Sequence, residues 1–277
     1  HEYAFYQAAV GAVPYGWDGE SQREQLAERL AAYALKAAKE GKQRTSWTSP
    51  DPAYDEALTA FVRAMMASDA FVSELVALCR VIEPAAALTG LASTLLKLTA
   101  PGVPDIYQGA ELWNQALVDP DNRGPVDFGQ RAELLARIRR DHGDGRGSAR
   151  ELLESYQDGR VKLFVTHAAL SLRRERRSLF LHGEYQPLPA GEHVVAFARA
   201  REQERVVTVV PRLTRRLLGE GDRWPLGSLW GETRLRLPHT GAYVNVLTGE
   251  RFAVRGDVRV AELLATFPIA LLLREES

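Results

Sequence analysis

The hydrophobic pattern changes from helical to strand-like near residue 181, and this change limits the possible folds more than any other feature of the sequence. Before it, apolar residues recur every three or four positions. After it, short runs rich in Val, Leu, Thr and Phe are separated by turn residues, among them Pro187-Leu188-Pro189. These patterns are typical of amphipathic helices and of antiparallel sheets, respectively. We therefore predict a mostly helical part over residues 1–181 and a C-terminal antiparallel β-sandwich over residues 182–277.

The helical part contains clear start and stop signals. Ser21 and Glu24 have the spacing of a capping box in front of a helix that ends at Gly41. Asp51 and Pro52 suit the first positions of the next helix. Because its length favours helix over strand, we also interpret the segment 161–174 as helical. Further helices are predicted over residues 2–10, 69–82, 90–99 and 149–156, and the glycines 143, 145 and 147 predict a turn.

Residues 100–128 interrupt the helical pattern with a strand-like segment, Val103–Tyr107, and then about twenty residues without periodicity. Loops of that length are usually functional or disordered. This loop contains few of the Ser, Lys and Glu residues of disordered tracts, so we predict that it is ordered and functional. A lone strand cannot complete its backbone hydrogen bonds, which indicates the last strand of a larger barrel. In such barrels the chemistry lies on the loops that follow the strands.

Composition excludes several classes of function. The formal net charge is −1, so no overall field attracts nucleic acid or an anionic membrane. Charged residues or proline interrupt the apolar runs before they reach the length of a membrane span. The single cysteine, Cys79, cannot form an internal disulfide, and this fits a reducing compartment. We expect a cytoplasmic protein with no cofactor and with no nucleic-acid or membrane partner. The start at His1, without Met, suggests a piece of a longer protein.

The acidic part of the loop partly resembles a calcium-binding sequence. The spacing of Asp119, Asp121 and Arg123 copies the start of a calcium-binding loop, which needs oxygen ligands at positions one, three, five and twelve. Position five is here the cation Arg123, and position twelve is Gln130, which has no carboxylate. The six histidines do not have zinc-site spacing. We therefore predict no metal site.

Several motifs resemble one enzyme family. The segment Pro101–Glu111 is similar to the eighth barrel strand of the α-amylase superfamily. The continuation Leu117–Arg123, with Pro125–Phe128 behind it, resembles the maltooligosyltrehalose synthases more specifically. The segment 42–51 and the tail patterns Val210–Leu213 and Trp230–Arg234 also resemble this family, so the likeness covers nearly the whole chain. It implies the mostly helical last portion of a (β/α)8 barrel, including its eighth strand, followed by the β-sandwich.

The resemblance also implies a reaction. The family converts the reducing-end α-1,4 linkage of a maltooligosaccharide to an α,α-1,1 linkage, an intramolecular transglycosylation of trehalose biosynthesis. It is an isomerase, a (1->4)-alpha-D-glucan 1-alpha-D-glucosylmutase. Such retaining chemistry uses a nucleophilic carboxylate and a carboxylic acid about 5 Å apart. In the superfamily these residues follow earlier barrel strands, which should precede His1. We therefore expect no catalytic residue in this chain and no activity from it alone.

We expect this chain to contribute substrate contacts near the mouth of the active site. Arg123 offers a rigid fork of donors, carboxylates accept from sugar hydroxyls, and aromatic rings give a face for a pyranose. The opposite interpretation is structural: Asp119 and Asp121 hold the loop with Arg123, Glu111 supports neighbouring loops, and Trp47 is a buried anchor. The candidate substrate-binding residues are Trp47, Tyr107, Glu111, Asp119, Asp121, Asn122 and Arg123.

The expected partners are a maltooligosaccharide or glucan bound by the complete enzyme, the missing N-terminal barrel portion and a companion trehalohydrolase of the pathway. Two alternatives stay open. The chain could be a carbohydrate-binding or packing module, with packing favoured for Trp224, Trp230 and Tyr243. It could instead be a fragment of an α-glucan hydrolase of the same superfamily.

Overall fold

The computed structural model describes residues 1–141, 148–219 and 221–275. Contacts between Cα atoms group the chain into two units: His1–Glu83 with Asn114–Val126, and Pro84–Trp113 with Asp127–Ser277. The division at residue 181 into barrel and sandwich stays a prediction. The turn predicted from the glycines at 143, 145 and 147 lies outside the described residues.

The first unit is built from helices α1 (Glu2–Ala12), α2 (Arg23–Gly41) and α3 (Pro52–Ala67) and from the first part of α4 (Asp69–Thr99). As predicted, Asp51 caps α3 by accepting a hydrogen bond from the Tyr54 N–H at 3.1 Å. The capping box predicted at Ser21 is wrong. Helix α2 begins one residue later than a cap at Ser21 requires, with Gln22 at the N-cap position and no side-chain cap, and the Ser21 hydroxyl donates to the Asp18 carboxylate at 2.8 Å. Apolar residues of all four helices share one core, among them Phe5, Leu30, Val62 and Val72.

Helix α4 corrects the prediction of two separate helices over 69–82 and 90–99, since it is continuous for 31 residues across Pro84. Proline removes one donor and costs about 3 kcal/mol in a helix interior. Burial of Leu88, Leu91 and Leu95 supplies the opposing free energy, because most helical stability in proteins comes from packing of an apolar face. The length of α4 and the mean hydropathy of 1.6 over an 18-residue window within it would also suit a membrane span. However, 44% of that window is buried within the protein.

The helices of the second unit, besides the rest of α4, are α5 (Phe128–Asp141), α6 (Ser148–Glu154), α7 (Arg160–Glu175), α8 (Arg177–His182) and α9 (Val260–Leu263). Helix α7 confirms the interpretation of residues 161–174 as helical. Its apolar face is buried at Val161, Val165, Ala169 and Leu172, the i, i+4 spacing that a helix needs to present one side to a core.

Antiparallel sheets form the rest of the second unit, which confirms the predicted all-β character. The strands are β1 (Glu184–Leu188), β2 (Val194–Arg201), β3 (Glu204–Pro211), β4 (Arg234–Arg236), β5 (Gly241–Asn245), β6 (Arg251–Val254), β7 (Asp257–Arg259) and β8 (Ala270–Arg274). Six of them form a sheet in the order β1-β2-β3-β8-β5-β6, and β4 pairs with β7. Residues of both sheets, including Val207, Leu235, Val258 and Leu272, share one hydrophobic cluster.

Two local predictions about strands are wrong. The segment Val103–Tyr107 is irregular, because a strand needs a neighbour to complete its hydrogen bonds and no described strand lies beside this one. Conversely, Pro187 was interpreted as part of a turn, but it lies within β1. Proline is tolerated there because β1 is an edge strand, where a missing donor need not break the ladder.

Candidate functional site

Asp121 fixes the loop of residues 114–126 onto helix α2. Two N–H groups of Arg29, Nε and Nη2, donate to the two carboxylate oxygens of Asp121 at 2.8 and 2.9 Å. Arg29 also donates to the Gln115 carbonyl at 2.9 Å, and the Leu117 N–H donates to Asp121 at 2.7 Å. A bidentate charged pair of this kind fixes direction as well as distance. The carboxylate of Asp121 therefore orients the loop.

The pKa of Asp121 reflects this environment. Burial of the carboxyl group favours its neutral form and works to raise the pKa. The hydrogen bonds from Arg29 and from the Leu117 N–H, together with the positive charge of Arg29, outweigh burial and lower the pKa below its ordinary value. Asp121 is thus ionised at neutral pH and holds its partners as a carboxylate.

Asp119 makes a second connection to α2. The Lys36 ammonium donates to the Asp119 carbonyl at 2.6 Å and lies 3.4 Å from its carboxylate. The other carboxylate oxygen forms an ion pair with Arg123 at 2.5 Å. The Arg123 side chain is 70% exposed, so most of its donors face solvent. Asn122, which precedes Arg123 in the sequence, has a buried Oδ1 that lacks a hydrogen-bond partner within the described ranges.

Sequence reasoning found the loop carboxylates but missed their partners on α2. The interpretation that both aspartates pair with Arg123 is right for Asp119, whereas Asp121 pairs with Arg29 instead. A signal was present in the sequence: Arg29 and Lys36 are seven residues apart and so lie on one face of α2, two turns from each other. Nothing in the sequence connected that face to a loop more than eighty residues later.

Trp47 is presented on the surface of the first unit. Its side chain is 61% exposed, which excludes the buried-anchor interpretation. The turn beneath it is ordered, because the buried Thr45 hydroxyl accepts a hydrogen bond from the Asp51 N–H at 3.1 Å. The Lys39 ammonium lies 5.0 Å from the centre of the indole ring and also pairs with Asp55 at 2.9 Å. One face of the ring is therefore covered by a cation.

The remaining two predicted site residues, Tyr107 and Glu111, belong to the second unit. Tyr107 is half exposed and offers an aromatic face. Glu111 pairs with Arg131 at 3.1 Å, and Arg131 also donates to the Gly109 carbonyl at 2.9 Å and to the Asp127 carbonyl at 3.0 Å. This arrangement matches the supporting role weighed for Glu111, because its carboxylate orients the arginine that holds the neighbouring backbone.

Trp113 and Lys162 form a contact in the second unit that the sequence did not suggest. The indole N–H of Trp113 donates to the Tyr156 carbonyl, and its ring lies against Gly90, where an added Cβ would come within 2.9 Å. The Lys162 ammonium lies 5.5 Å from the ring centre and donates to the Leu112 carbonyl at 3.1 Å. Burial, and then the nearby charge of Lys97, lower the pKa of Lys162 to about 8.

Of the three aromatic residues for which packing is predicted, Trp230 and Tyr243 are buried, whereas Trp224 is partly buried and meets the Tyr156 ring edge-on at 5.1 Å. Trp230 is 2% exposed and donates to the Pro225 carbonyl at 2.7 Å, and Tyr243 is fully buried. Neither ring can present a platform to a sugar, which agrees with the packing role favoured for them. Over residues 1–141, 148–219 and 221–275, no group of three or more His, Cys, Asp or Glu side chains is arranged to hold a metal ion.

Comparison with known proteins identifies relatives along nearly the whole chain. A protein from Mycobacterium tuberculosis whose name assigns it to the maltooligosyl trehalose synthases is 36% identical over 256 residues, 91% of this chain and 29% of that protein. The structure of maltooligosyltrehalose synthase from Arthrobacter ramosus matches with a TM-score of 0.76 and 38% identity, over 99% of this chain and 32% of that one.

A hypothetical maltooligosyl trehalose synthase from Sulfolobus tokodaii matches with a TM-score of 0.70 and 27% identity, again over 99% of this chain and 32% of that chain. No family model matches the sequence. The chain thus spans a little less than a third of the length of its M. tuberculosis relative, and its predicted likeness to this family is confirmed.

Proposed function

Since the chain is a homologue of one part of the maltooligosyltrehalose synthases, we propose that it is the C-terminal portion of such an enzyme, the end of the (β/α)8 barrel followed by a β-sandwich. The observation that carries the proposal is the match to the Arthrobacter ramosus synthase along 99% of this chain at 38% identity. The complete enzyme would convert the reducing-end α-1,4 linkage of a maltooligosaccharide to an α,α-1,1 linkage. Its catalytic carboxylates would lie upstream, so the present chain alone would be inactive.

Within that enzyme, we assign the loop of residues 114–126 to substrate binding, with its residues in different roles. Arg29 and Lys36 hold the backbone of the loop through Asp121 and Asp119. Asp121 is a positioning residue, because its oxygens already accept three hydrogen bonds. Arg123 pairs with Asp119 through Nε only, and its other donors can reach sugar hydroxyls, since its side chain is 70% exposed. A guanidinium suits this task because its donors are rigid and always charged.

The exposed rings of Trp47 and Tyr107 are proposed as sugar platforms, each within its own unit. A pyranose has an apolar face that packs against an aromatic ring, and both rings are exposed enough to accept one. Glu111 acts indirectly by holding Arg131, and Asn122 supplies an amide next to Arg123. The proposed setting is the cytoplasm, with the remaining barrel and a companion trehalohydrolase of the pathway as partners.

The experiment that tests this proposal replaces the matching third of the Arthrobacter ramosus synthase with the present chain. The folded chimera is incubated with maltohexaose, and reducing ends and total sugar are measured in parallel. We expect reducing ends to fall while total sugar stays constant, as an α-1,4 linkage becomes α,α-1,1. The isolated chain, at the same concentration, should leave both quantities unchanged.

Two variants of the chimera separate the assigned roles. Arg123→Ala should raise the KM for maltohexaose about tenfold if its charged donors contact the substrate. Arg137→Gln, which removes an exposed cation of α5 outside the loop, is the matched control and should leave KM unchanged. A rise in reducing ends would identify an α-glucan hydrolase instead. Conversion by the isolated chain would contradict the proposal that its catalytic groups lie elsewhere.

A further inference from the structure

A groove of about 540 Å³ lies in the second unit, where strand β3 ends at Pro211. Its volume is within the range of ligand-binding clefts in proteins. One wall is formed by α4, at Ala85 and Leu88, and the other by the segment 211–216 together with Glu192. We call it the arginine groove, because three of the residues that line it are arginines. None of its lining residues takes part in the glucan site proposed above.

The charge of the arginine groove is positive. Arg216 forms an ion pair with Glu192 at 3.4 Å, and these side chains are 77% and 60% exposed. Arg212 and Arg215 are also exposed, and their side chains form no hydrogen bond or ion pair with any residue that the structure describes. Glu192 is the only carboxylate among the residues that line the groove. Accessible cations therefore outnumber anions here, and such a surface attracts negatively charged groups.

The arginine groove also has an apolar component. Leu88 and Pro211 line it and are buried, whereas Leu213 is 52% exposed. The backbone of Leu213 has φ 51° and ψ 38°, a left-handed conformation that is rare for a bulky residue. Conformations of this kind persist where the surroundings hold them, often at functional sites. The strained residue presents an apolar side chain to solvent between two arginines of the sequence, Arg212 and Arg215.

The segment that carries the arginines is held by backbone hydrogen bonds. The Arg212 N–H donates to the His193 carbonyl at 2.8 Å. The Leu217 and Leu218 N–H groups both donate to the Thr214 carbonyl, at 2.9 and 3.2 Å. The side chains of this segment therefore project from a fixed backbone, and such preorganisation lowers the entropic cost of binding a partner.

We propose that the arginine groove is a docking site for an acidic segment of a partner protein, one that carries apolar side chains among its carboxylates. Arginine binds carboxylates through two parallel hydrogen bonds. It is also enriched at protein interfaces, where lysine is depleted, and the groove has three arginines and no lysine. Leu213 gains from a partner only through apolar contact, which favours an amphiphilic segment over a bare polyanion. No aromatic ring lines the groove for a nucleotide base to stack on.

Fluorescence anisotropy of the chain with labelled probes tests the chemistry of the partner. The first probe is a short peptide of glutamates with two central leucines. In a second peptide serines replace the leucines, in a third lysines replace the glutamates, and the fourth probe is a thymidine oligonucleotide of the same charge as the first peptide. We expect the leucine peptide to bind with a Kd below about 100 µM. The serine peptide should bind about tenfold more weakly, because it loses the apolar contact.

The lysine peptide should not bind, and raising the salt concentration from about 0.1 M to 1 M should weaken binding of the leucine peptide, since screening shortens the reach of the charges. If the serine peptide or the oligonucleotide binds as tightly as the leucine peptide, the groove attracts any polyanion and the proposal is wrong. The same conclusion follows if the leucine peptide does not bind at about 1 mM.

Charge variants locate the bound peptide. Arg215→Gln should weaken binding of the leucine peptide about tenfold, since it removes a charged hydrogen-bond donor. Arg255→Gln is the control, because Arg255 is also exposed but lies outside the groove. It should change the affinity less than about twofold. Both side chains are on the surface, so neither change threatens the fold. Equal effects of the two variants would show general charge attraction and overturn the site.

Leu213→Gly separates binding from folding. Glycine adopts the left-handed conformation without strain, so this variant should unfold at a higher temperature than the wild type. It also removes the exposed apolar side chain, so the leucine peptide should bind about tenfold more weakly, while the affinity of the serine peptide should change little. Unchanged affinity for the leucine peptide would exclude Leu213 from the docking surface and contradict the proposal.

The synthase chimera described above tests whether the partner is a separate protein. Binding of the leucine peptide by both the isolated chain and the chimera supports a separate partner. Binding by the isolated chain alone would mean that the rest of the synthase covers the groove, which would overturn the proposal. The binding assay does not use catalytic activity, so its outcome is independent of whether the chimera converts maltohexaose.

Discussion

The loop of residues 114–126 and the six-stranded sheet show two different ways of holding a chain in place. The loop has regular structure only in a 3₁₀ turn, Asp121–Arg123, and charged contacts from Arg29 and Lys36 fix it. The sheet is held by a continuous ladder and by buried apolar side chains, with β3 and β8 at its centre. Ion pairs define where the loop lies at a modest cost in stability, whereas apolar burial supplies the free energy of folding.

The largest effect should come from the sheet. Leu272 on β8 is fully buried, and Leu272→Ala removes its packing and leaves a cavity. We expect the free energy of unfolding to fall by about 2–5 kcal/mol. Leu213→Ala is the matched control, because Leu213 is 52% exposed and should lose less than about 0.5 kcal/mol. Urea unfolding measures both. Similar losses for the two variants would contradict the conclusion that apolar burial in the sheet supplies the free energy of folding.

A steric effect of intermediate size is expected at Gly90. An added Cβ would lie 2.9 Å from Cζ3 of Trp113, so Gly90→Ala must displace that ring and should cost about 1–3 kcal/mol. Gly11 is also helical, but nothing lies within 4 Å of its Cβ position. Gly11→Ala should therefore stabilise by about 0.5–1 kcal/mol through helix propensity. Thermal unfolding should show shifts of opposite sign, and equal shifts would contradict the contact with Trp113.

The loop should respond locally to Asp121→Asn. This change removes the charge that holds Arg29, and we expect a loss of about 1–2 kcal/mol, felt as faster amide hydrogen exchange over residues 115–123. The control is Asp257→Asn. Asp257 pairs with Arg236 and is more exposed than Asp121, so this change should leave the exchange of the loop unchanged. If Asp121→Asn accelerates exchange throughout the first unit, the loop is part of its core rather than a separately held segment.

Low pH should weaken the contacts that hold the same loop on α2. Because the pKa of Asp121 is lowered in the folded chain, its contribution to stability is fully present above its unfolded value of about 3.9. The contribution is lost as pH falls through the folded pKa. Exchange of the loop should therefore accelerate below about pH 4 in the wild type and show a smaller change in Asp121→Asn. An identical acid response in both proteins would assign the transition to other carboxyl groups.

The smallest effect on stability is expected at Arg123. Its ion pair with Asp119 joins a 70% exposed side chain to a 39% exposed one, and exposed pairs contribute about 0–1 kcal/mol. Arg123→Ala should therefore leave the urea midpoint nearly unchanged. A large loss of stability would mean that Arg123 supports the loop, which would weaken its assignment as a substrate contact.

Much of this protein follows from its sequence. Helical and strand-like periodicity located most of the elements, because each period records which side of an element is buried. The helix α7 and the cap at Asp51 followed from local spacing alone. The motif around Leu117–Arg123 indicated the likeness to the maltooligosyltrehalose synthases and drew attention to the loop, where Asp119 pairs with Arg123 in the structure.

Tertiary structure decided what local spacing cannot encode. Packing carries α4 through Pro84, and the lack of a described neighbouring strand leaves Val103–Tyr107 irregular. Arg29 lies 92 residues before Asp121, so their pairing depends on the path of the chain between them. A periodic pattern reports burial within one element, whereas an ion pair depends on two distant segments meeting. For that reason the sequence alone identified the residues of the loop, and only the fold determined which of them hold it and which remain free.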